Sequence, residues 1–243
     1  MVKKICIYQP NVFPRLHYFN RILNSDVWVM LDDVQLNRRV GQTCFAVKLN
    51  GRKHTIVVPV FGGNRVNIKD AVISYDLKWI AKAQKTMEHA YGKRPYFERI
   101  RALTASYFNH HRWNGADFRL FCEQFTLDML RKFGWQGVVM SSSGLAGSVK
   151  ASERMAEITL QLRGTHYVCG KEGYQNYLNL QDFRSRKLSI YVQEWKSPVY
   201  PQGKGDFIAN LSILDLLTNV DLEEARKLLV SDGMKEWKEY GLS

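Results

Sequence analysis

The run Val27-Trp28-Val29-Met30-Leu31 restricts the fold more than any other stretch of the chain. It is apolar at every position, the pattern of a strand covered on both faces. Just before it, Leu16, Phe19, Ile22 and Leu23 recur at spacings of three and four, which makes one apolar face of a helix. Lys3-Lys4-Ile5-Cys6-Ile7-Tyr8 reads as a first strand. Pro10 stops it, because proline cannot donate a ladder hydrogen bond. Pro14 suits the first turn of the helix, where its missing N–H costs nothing. Residues 3–31 therefore form a strand–loop–helix–strand unit, and each strand runs directly into polar residues: Gln9 and Asn11 after the first, Asp32, Asp33 and Gln35 after the second.

The same alternation returns later. Gly137–Met140, Thr165–Cys169 and Leu188–Val192 read as strands, and Ser152–Arg163 and Gly173–Leu178 as helices. Strands alternating with helices predict an α/β fold, a Rossmann-like open, mostly parallel sheet. Gln42–Val47 and Thr55–Val60 flank Asn50-Gly51, a strong signal for a type I′ turn, so an antiparallel hairpin is inserted after the second strand. From about residue 75 to 135 the period turns helical, with Pro95 and Gly134 as breaks, predicting a helical insertion or subdomain in the middle of the chain. Leu211–Leu217 and Leu222–Leu229 are the last helical pieces. No repeat or Gly/Ser-rich linker divides the sequence, which reads as a single domain over residues 1–243.

Composition narrows the function. The chain has 45% hydrophobic and 24% charged residues, ordinary for a globular protein. No apolar run approaches the roughly 20 residues of a membrane span, and the first ten residues lack the features of a signal peptide. Cys6, Cys44, Cys122 and Cys169 are widely spaced, without metal-ligand spacing, and read as reduced thiols of a cytoplasmic protein. No metal site is expected, and no cofactor is specified. The net charge of +12 points to an anionic partner. The positive residues are spread over several clusters, among them Asn37-Arg38-Arg39 and Arg184-Ser185-Arg186-Lys187, rather than gathered in one block.

The order of several motifs resembles the WbqC-like protein family. These are Tyr8-Gln9-Pro10-Asn11-x-Phe13-Pro14, Leu31-Asp32-Asp33-Val34-Gln35, Val58-Pro59-Val60, Pro95-Tyr96-Phe97, Ser141-Ser142-Ser143, Tyr167-x-Cys169-Gly170, Tyr200-x-Gln202 and Leu211-Ser212-Ile213-Leu214-Asp215. The resemblance extends to about residue 220. It departs at Tyr8, where relatives commonly carry His, at Arg15, where Trp is usual, and near His17, where Gly is usual. It implies an enzyme of cell-surface polysaccharide (O-antigen type) or natural-product biosynthesis that modifies a sugar or small molecule.

In an open parallel sheet, ligands bind beyond the carboxyl ends of the strands. That rule selects Gln9 and Asp33 as catalytic candidates. Tyr8, Asn11, Phe13, Asp32, Gln35, Tyr174 and Tyr177 are candidates to line the substrate. Arg38, Arg39, Lys48, Ser141, Ser142 and Ser143 are candidates to hold an anionic donor or cofactor. Adjacent residues of an extended chain point to opposite sides, so Asp33 is the candidate base or amine binder and Asp32 a cap or ion-pair partner. Arginines nearby would lower the Asp33 pKa and weaken it as a base. The serine loop lacks the lysine of a P-loop, and Cys169 reads as a small buried hydrophobe.

The expected activity is that of a transferase acting on an activated or phosphorylated (amino) sugar, with acyl or aminoacyl transfer preferred and a nucleotide sugar or acyl donor as the anionic substrate. Two alternatives belong to other classes: an ATP-using nucleotidyltransferase or ligase with a Rossmann-like site, and a tRNA- or RNA-binding protein.

Overall fold

The computed structural model describes residues 1–37, 41–61, 65–147, 151–230 and 237–240, the last as backbone. The chain runs β1 (Lys4–Tyr8), α1 (Leu16–Leu23), β2 (Val27–Met30), β3 (Cys44–Leu49), β4 (Arg52–Val57), β5 (Val60–Phe61), β6 (Val72–Ile73), α2 (Leu77–Tyr91), α3 (Phe97–Ala105), α4 (His110–Trp113) and α5 (Phe118–Lys132). It continues with β7 (Val138–Ser141), α6 (Ala151–Gln161), β8 (His166–Gly170), α7 (Lys171–Tyr177), α8 (Leu180–Arg184), β9 (Ser189–Gln193), α9 (Ile213–Asn219), α10 (Leu222–Val230) and β10 (Trp237–Tyr240).

The main sheet has the order β10-β9-β8-β1-β2-β7. β7, β2, β1, β8 and β9 are mutually parallel, and β10 closes one edge antiparallel to β9. Numbered along the chain, the parallel strands lie in the order 3-2-1-4-5. The strand order reverses between β1 and β8, and that switch point is where a doubly wound sheet opens a crevice. This is the α/β, Rossmann-like architecture expected from the alternation, with β3–β4 and β5–β6 as small antiparallel additions. In the β3–β4 turn Asn50 and Gly51 have φ of 50° and 73°, the positive pair that a type I′ turn requires.

The period of two divides the strands between two apolar layers. Ile5, Ile7, Val27, Val29, Tyr167, Cys169, Ile190 and Val192 pack with Met155, Ala156 and Ile158 of α6 and Phe183 of α8. Cys6, Trp28, Met30 and Val168 face the other way, into a larger cluster with Phe19 and Ile22 of α1 and Phe121, Phe125 and Met129 of α5. That cluster also takes in Ile80, Met87, Ile100 and Trp113, so α2 to α5 share apolar contacts with one face of the sheet. Residues 180–184 and 237–240 form elements that the periodicity did not disclose, since each is too short to show one.

Candidate functional site

β1 ends at Tyr8, and the pairing of Cys6 with Val168 brings Tyr8 level with Gly170 at the end of β8. Tyr8 therefore stands on the rim of the switch-point crevice. Its ring stacks on Tyr18, with centroids 4.5 Å apart. Its hydroxyl lies 3.2 Å from His17 Nε2. The Arg21 guanidinium covers its face, 4.1 Å from the ring centroid. His17 and Arg21 are four residues apart on α1, hence on one strip of the helix. Burial, aided by Arg21 and Arg15, lowers the His17 pKa to about 3 and keeps the ring neutral.

The β1–α1 loop is held from several sides. Gln42 Nε2 donates to Gln9 Oε1 at 2.5 Å, and Asn37 N donates to Gln42 Oε1 at 2.6 Å. Val12 N donates to the Gln42 carbonyl at 2.9 Å. Asn11 Nδ2 donates to the Gln9 carbonyl at 3.0 Å, so part of its amide is spent on the loop itself. Phe13 points inward. It is 1% exposed, with its ring 4.7 Å from Phe125 and 4.8 Å from Phe45, and it anchors the loop in the core instead of lining a ligand.

Asp32 and Asp33 diverge as adjacent residues of an extended segment do. Asp32 is fully buried, and it accepts Ser143 N and Ser143 Oγ, each at 2.9 Å, with Arg119 Nε 3.6 Å away. Ser142 Oγ accepts Asp32 N at 3.1 Å and directs its proton to the two carboxylates, 3.1 Å from Asp32 Oδ1 and 2.6 Å from Asp33 Oδ1. Asp33 is ion-paired to Arg154. Burial alone would raise the Asp33 pKa, but the bonds from Ser142 and Arg154 outweigh it and hold the carboxyl below its usual range. Ser141 Oγ accepts from Arg119 Nη1 at 3.0 Å. The three serines are thus engaged by the chain's own carboxylates and Arg119. They tie the end of β2 to the end of β7 and do not form an open anion cradle.

Lys48 is buried, and its amine donates to the Asp206 carbonyl at 2.7 Å, which docks β3 on the 203–206 loop. Gln35 is exposed and bridges to Asn67. Tyr174 packs against the α6-side layer, and the Tyr177 hydroxyl meets that of Tyr167 at 3.3 Å; both tyrosines belong to α7, directly after β8. Arg38 and Arg39 lie outside the described residues. Burial pushes the Cys169 thiol up to about 12, so it remains protonated.

The spacing of His17 and Arg21 was the available signal for two groups that sequence reasoning passed over. Gln42 and Gln193 gave no local signal. Gln193, at the end of β9, accepts Arg21 Nε at 3.2 Å and Nη2 at 3.0 Å on its Oε1. Its Nε2 donates to Asn20 Oδ1 at 2.5 Å and to the His17 carbonyl at 3.1 Å.

Among the described residues, no group of three or more His, Cys, Asp and Glu is placed to hold a metal ion. Nor is any helix among them long and apolar enough to cross a membrane. An open cavity of about 410 Å³ is lined by Leu103, Ser106, Asp128, Arg131 and Lys132 and takes no residue from the strand ends.

The chain is similar, at 26% identity over 233 residues, to the uncharacterized protein Rv1507c of Mycobacterium tuberculosis (strain ATCC 25618 / H37Rv), covering 91% of this chain and 96% of that one. No solved structure matches it. The model of the WbqC-like protein family matches residues 9–227, from the crevice loop into α10, and the chain belongs to that family.

Proposed function

We propose that this protein is a transferase of cell-surface polysaccharide or natural-product biosynthesis. It modifies an activated or phosphorylated (amino) sugar by acyl or aminoacyl transfer to an amino group. The observation that carries this reading is the switch-point crevice, where neutral hydrogen-bonding groups (Tyr8, Gln9, Asn11 and His17) stand beside Arg21. Amides and hydroxyls suit the many donors and acceptors of a sugar. A fixed cation suits its activating phosphate or an acyl donor's carboxylate.

Transfer of an acyl group to an amine needs positioning and a proton acceptor. His17 is neutral and within hydrogen-bond distance of Tyr8, so the pair positions the acceptor by hydrogen bonding. With its pKa lowered to about 3 the imidazole is a weak base, and the proton of the attacking amine passes to the departing group of the donor or to solvent. The family resemblance implies His at the position of Tyr8; here α1 brings the His17 imidazole to 3.2 Å from the Tyr8 hydroxyl. Gln9 orients the acceptor. Asp33, held as a carboxylate by Arg154, acts through its charge on a substrate amine or hydroxyl rather than as a base.

The strand order also favours a second reading, an ATP-using nucleotidyltransferase or ligase, because sheets of this order hold nucleotides at the same crevice. Against it, the β1–α1 loop is Gln9-Pro10-Asn11, without the glycines that bring backbone amides to a pyrophosphate.

The test is to incubate the protein with amino-sugar nucleotides and acyl or aminoacyl donors, aminoacyl-tRNA included, and to follow product mass. Acylated sugar should form, and Tyr8→Phe and His17→Gln should each slow it by about a hundredfold through lost positioning while substrate stabilisation persists. Adenylylated or nucleotidylated product would support the second reading. Thermal stabilisation by none of these compounds, with no product, refutes both.

A further inference from the structure

Arg21 is 7% exposed, and among the described residues no carboxylate lies within ion-pair distance of it. Buried cations are ordinarily paired, because an uncompensated charge is costly in a low-dielectric interior. An arginine cannot escape by losing its proton. Its neutral contacts are the Tyr8 ring and Gln193. Gln193 Oε1 occupies the side edge of the guanidinium, Nε and one N–H of Nη2. The end edge, formed by Nη1 and the other N–H of Nη2, donates to no acceptor among the described residues. Nη1 is also not among the fully enclosed unpartnered side-chain atoms, so that edge keeps access to the crevice.

The surroundings are built to hold this cation in place. A Cβ on Gly170 would stand 2.3 Å from Arg21 Nη2, so the glycine lets the guanidinium rest on the end of β8 and any side chain there would push it aside. The Gly170 backbone, at φ −92° and ψ 162°, would accept any residue. The glycine thus serves the close approach and not a turn. The indole Nε1 of Trp195, whose ring is 6.4 Å from that of His17, is enclosed without a partner.

We propose that the end edge of Arg21 is the anion-binding element of the crevice, taking a phosphate or carboxylate group of the substrate in a two-pronged hydrogen bond. The proposal rests on the reading of the crevice as the substrate site and names the group by which the substrate is held. Arg21 is a binding residue, while Gly170 and Gln193 position it. A planar guanidinium edge matches two oxygens of either anion, which an ammonium does not.

The experiment uses full-length protein carrying isotope-labelled arginine, titrated at millimolar concentrations with inorganic phosphate, uridine diphosphate and acetate. The side-chain Nε–H resonance of Arg21 is assigned by its loss in Arg21→Lys. It should shift saturably with at least one anion. Response to phosphate and uridine diphosphate alone marks a phosphorylated donor; response to acetate alone marks a carboxylate substrate.

By calorimetry, Gly170→Ala should weaken the responding anion about tenfold or more with an unchanged circular dichroism spectrum. Arg21→Lys should do the same, and keeps the test open should Gly170→Ala not fold. An Arg21 resonance unmoved by all three anions, or equal affinity in a folded variant, overturns the proposal. Anion binding at Arg21 without transfer to any acceptor would remove the transferase reading and leave this site standing. Transfer with unchanged donor KM in Arg21→Lys would remove the site and leave the reading.

Discussion

Asp32 is fully buried at the end of β2, and its carboxylate satisfies Ser143 N and Ser143 Oγ. Removing it strands those donors, while the partly exposed Arg119 keeps Asp117, Glu123 and Ser141 as partners. Asp32→Ala should therefore lower stability by about 1–3 kcal/mol in urea unfolding, more than a surface aspartate would. His17 makes a different prediction. Its folded pKa lies near 3, below the ordinary 6.5, so the unfolded chain binds the extra proton between those values. Stability from this group is full above 6.5 and is lost as pH falls towards 3. The lowered Asp33 pKa acts in the same sense at the acid end, while Glu123 and Asp215, raised by burial, act in the opposite one. The difference between wild type and His17→Gln isolates the histidine: the variant should lose stability less steeply on acidification, by up to about one proton's worth of slope.

At the scale of elements, the β1–α1 loop is the part that both core and crevice depend on. Phe13 adopts a positive φ of 39°, turning its ring into the aromatic cluster of Phe45, Phe121 and Phe125 while Gln9 and Asn11 stay on the rim. Phe13→Ala should cost about 3–5 kcal/mol in denaturant unfolding. It should also loosen the loop, raising the KM for substrate more than it lowers kcat. In the β3–β4 turn, Gly51→Ala meets no neighbouring atom but must hold φ near 73°, so its cost should be about 1 kcal/mol, all of it conformational.

For the molecule as a whole, what could be read from the sequence was what is local. The apolar run at 27–31 and the three-and-four spacing of Leu16, Phe19, Ile22 and Leu23 foretold β2 and α1 because strand and helix periods are properties of neighbouring residues. Position at the carboxyl end of the strands followed from the same unit, which is how Tyr8 and Gln9 could be placed at the end of β1. The partners of the candidate groups were not legible. Asp32 meets Ser142 across 110 residues, Lys48 meets Asp206 across 158, and Arg21 meets Gln193 across 172. No local pattern encodes such pairings, so serines expected to cradle an anion proved to serve two carboxylates. Arg21, unremarked in the sequence, proved to be the buried cation at the switch point.

The central claim, that substrate binds at the β1–β8 switch point, is tested most directly by amide hydrogen exchange with and without the nucleotide sugar that best stabilises the protein. Protection is predicted in residues 8–14, 170–177 and 193–195, which surround the crevice from three strand ends. Protection confined to the cavity between α3 and α5, or to β3 and β4, would contradict it.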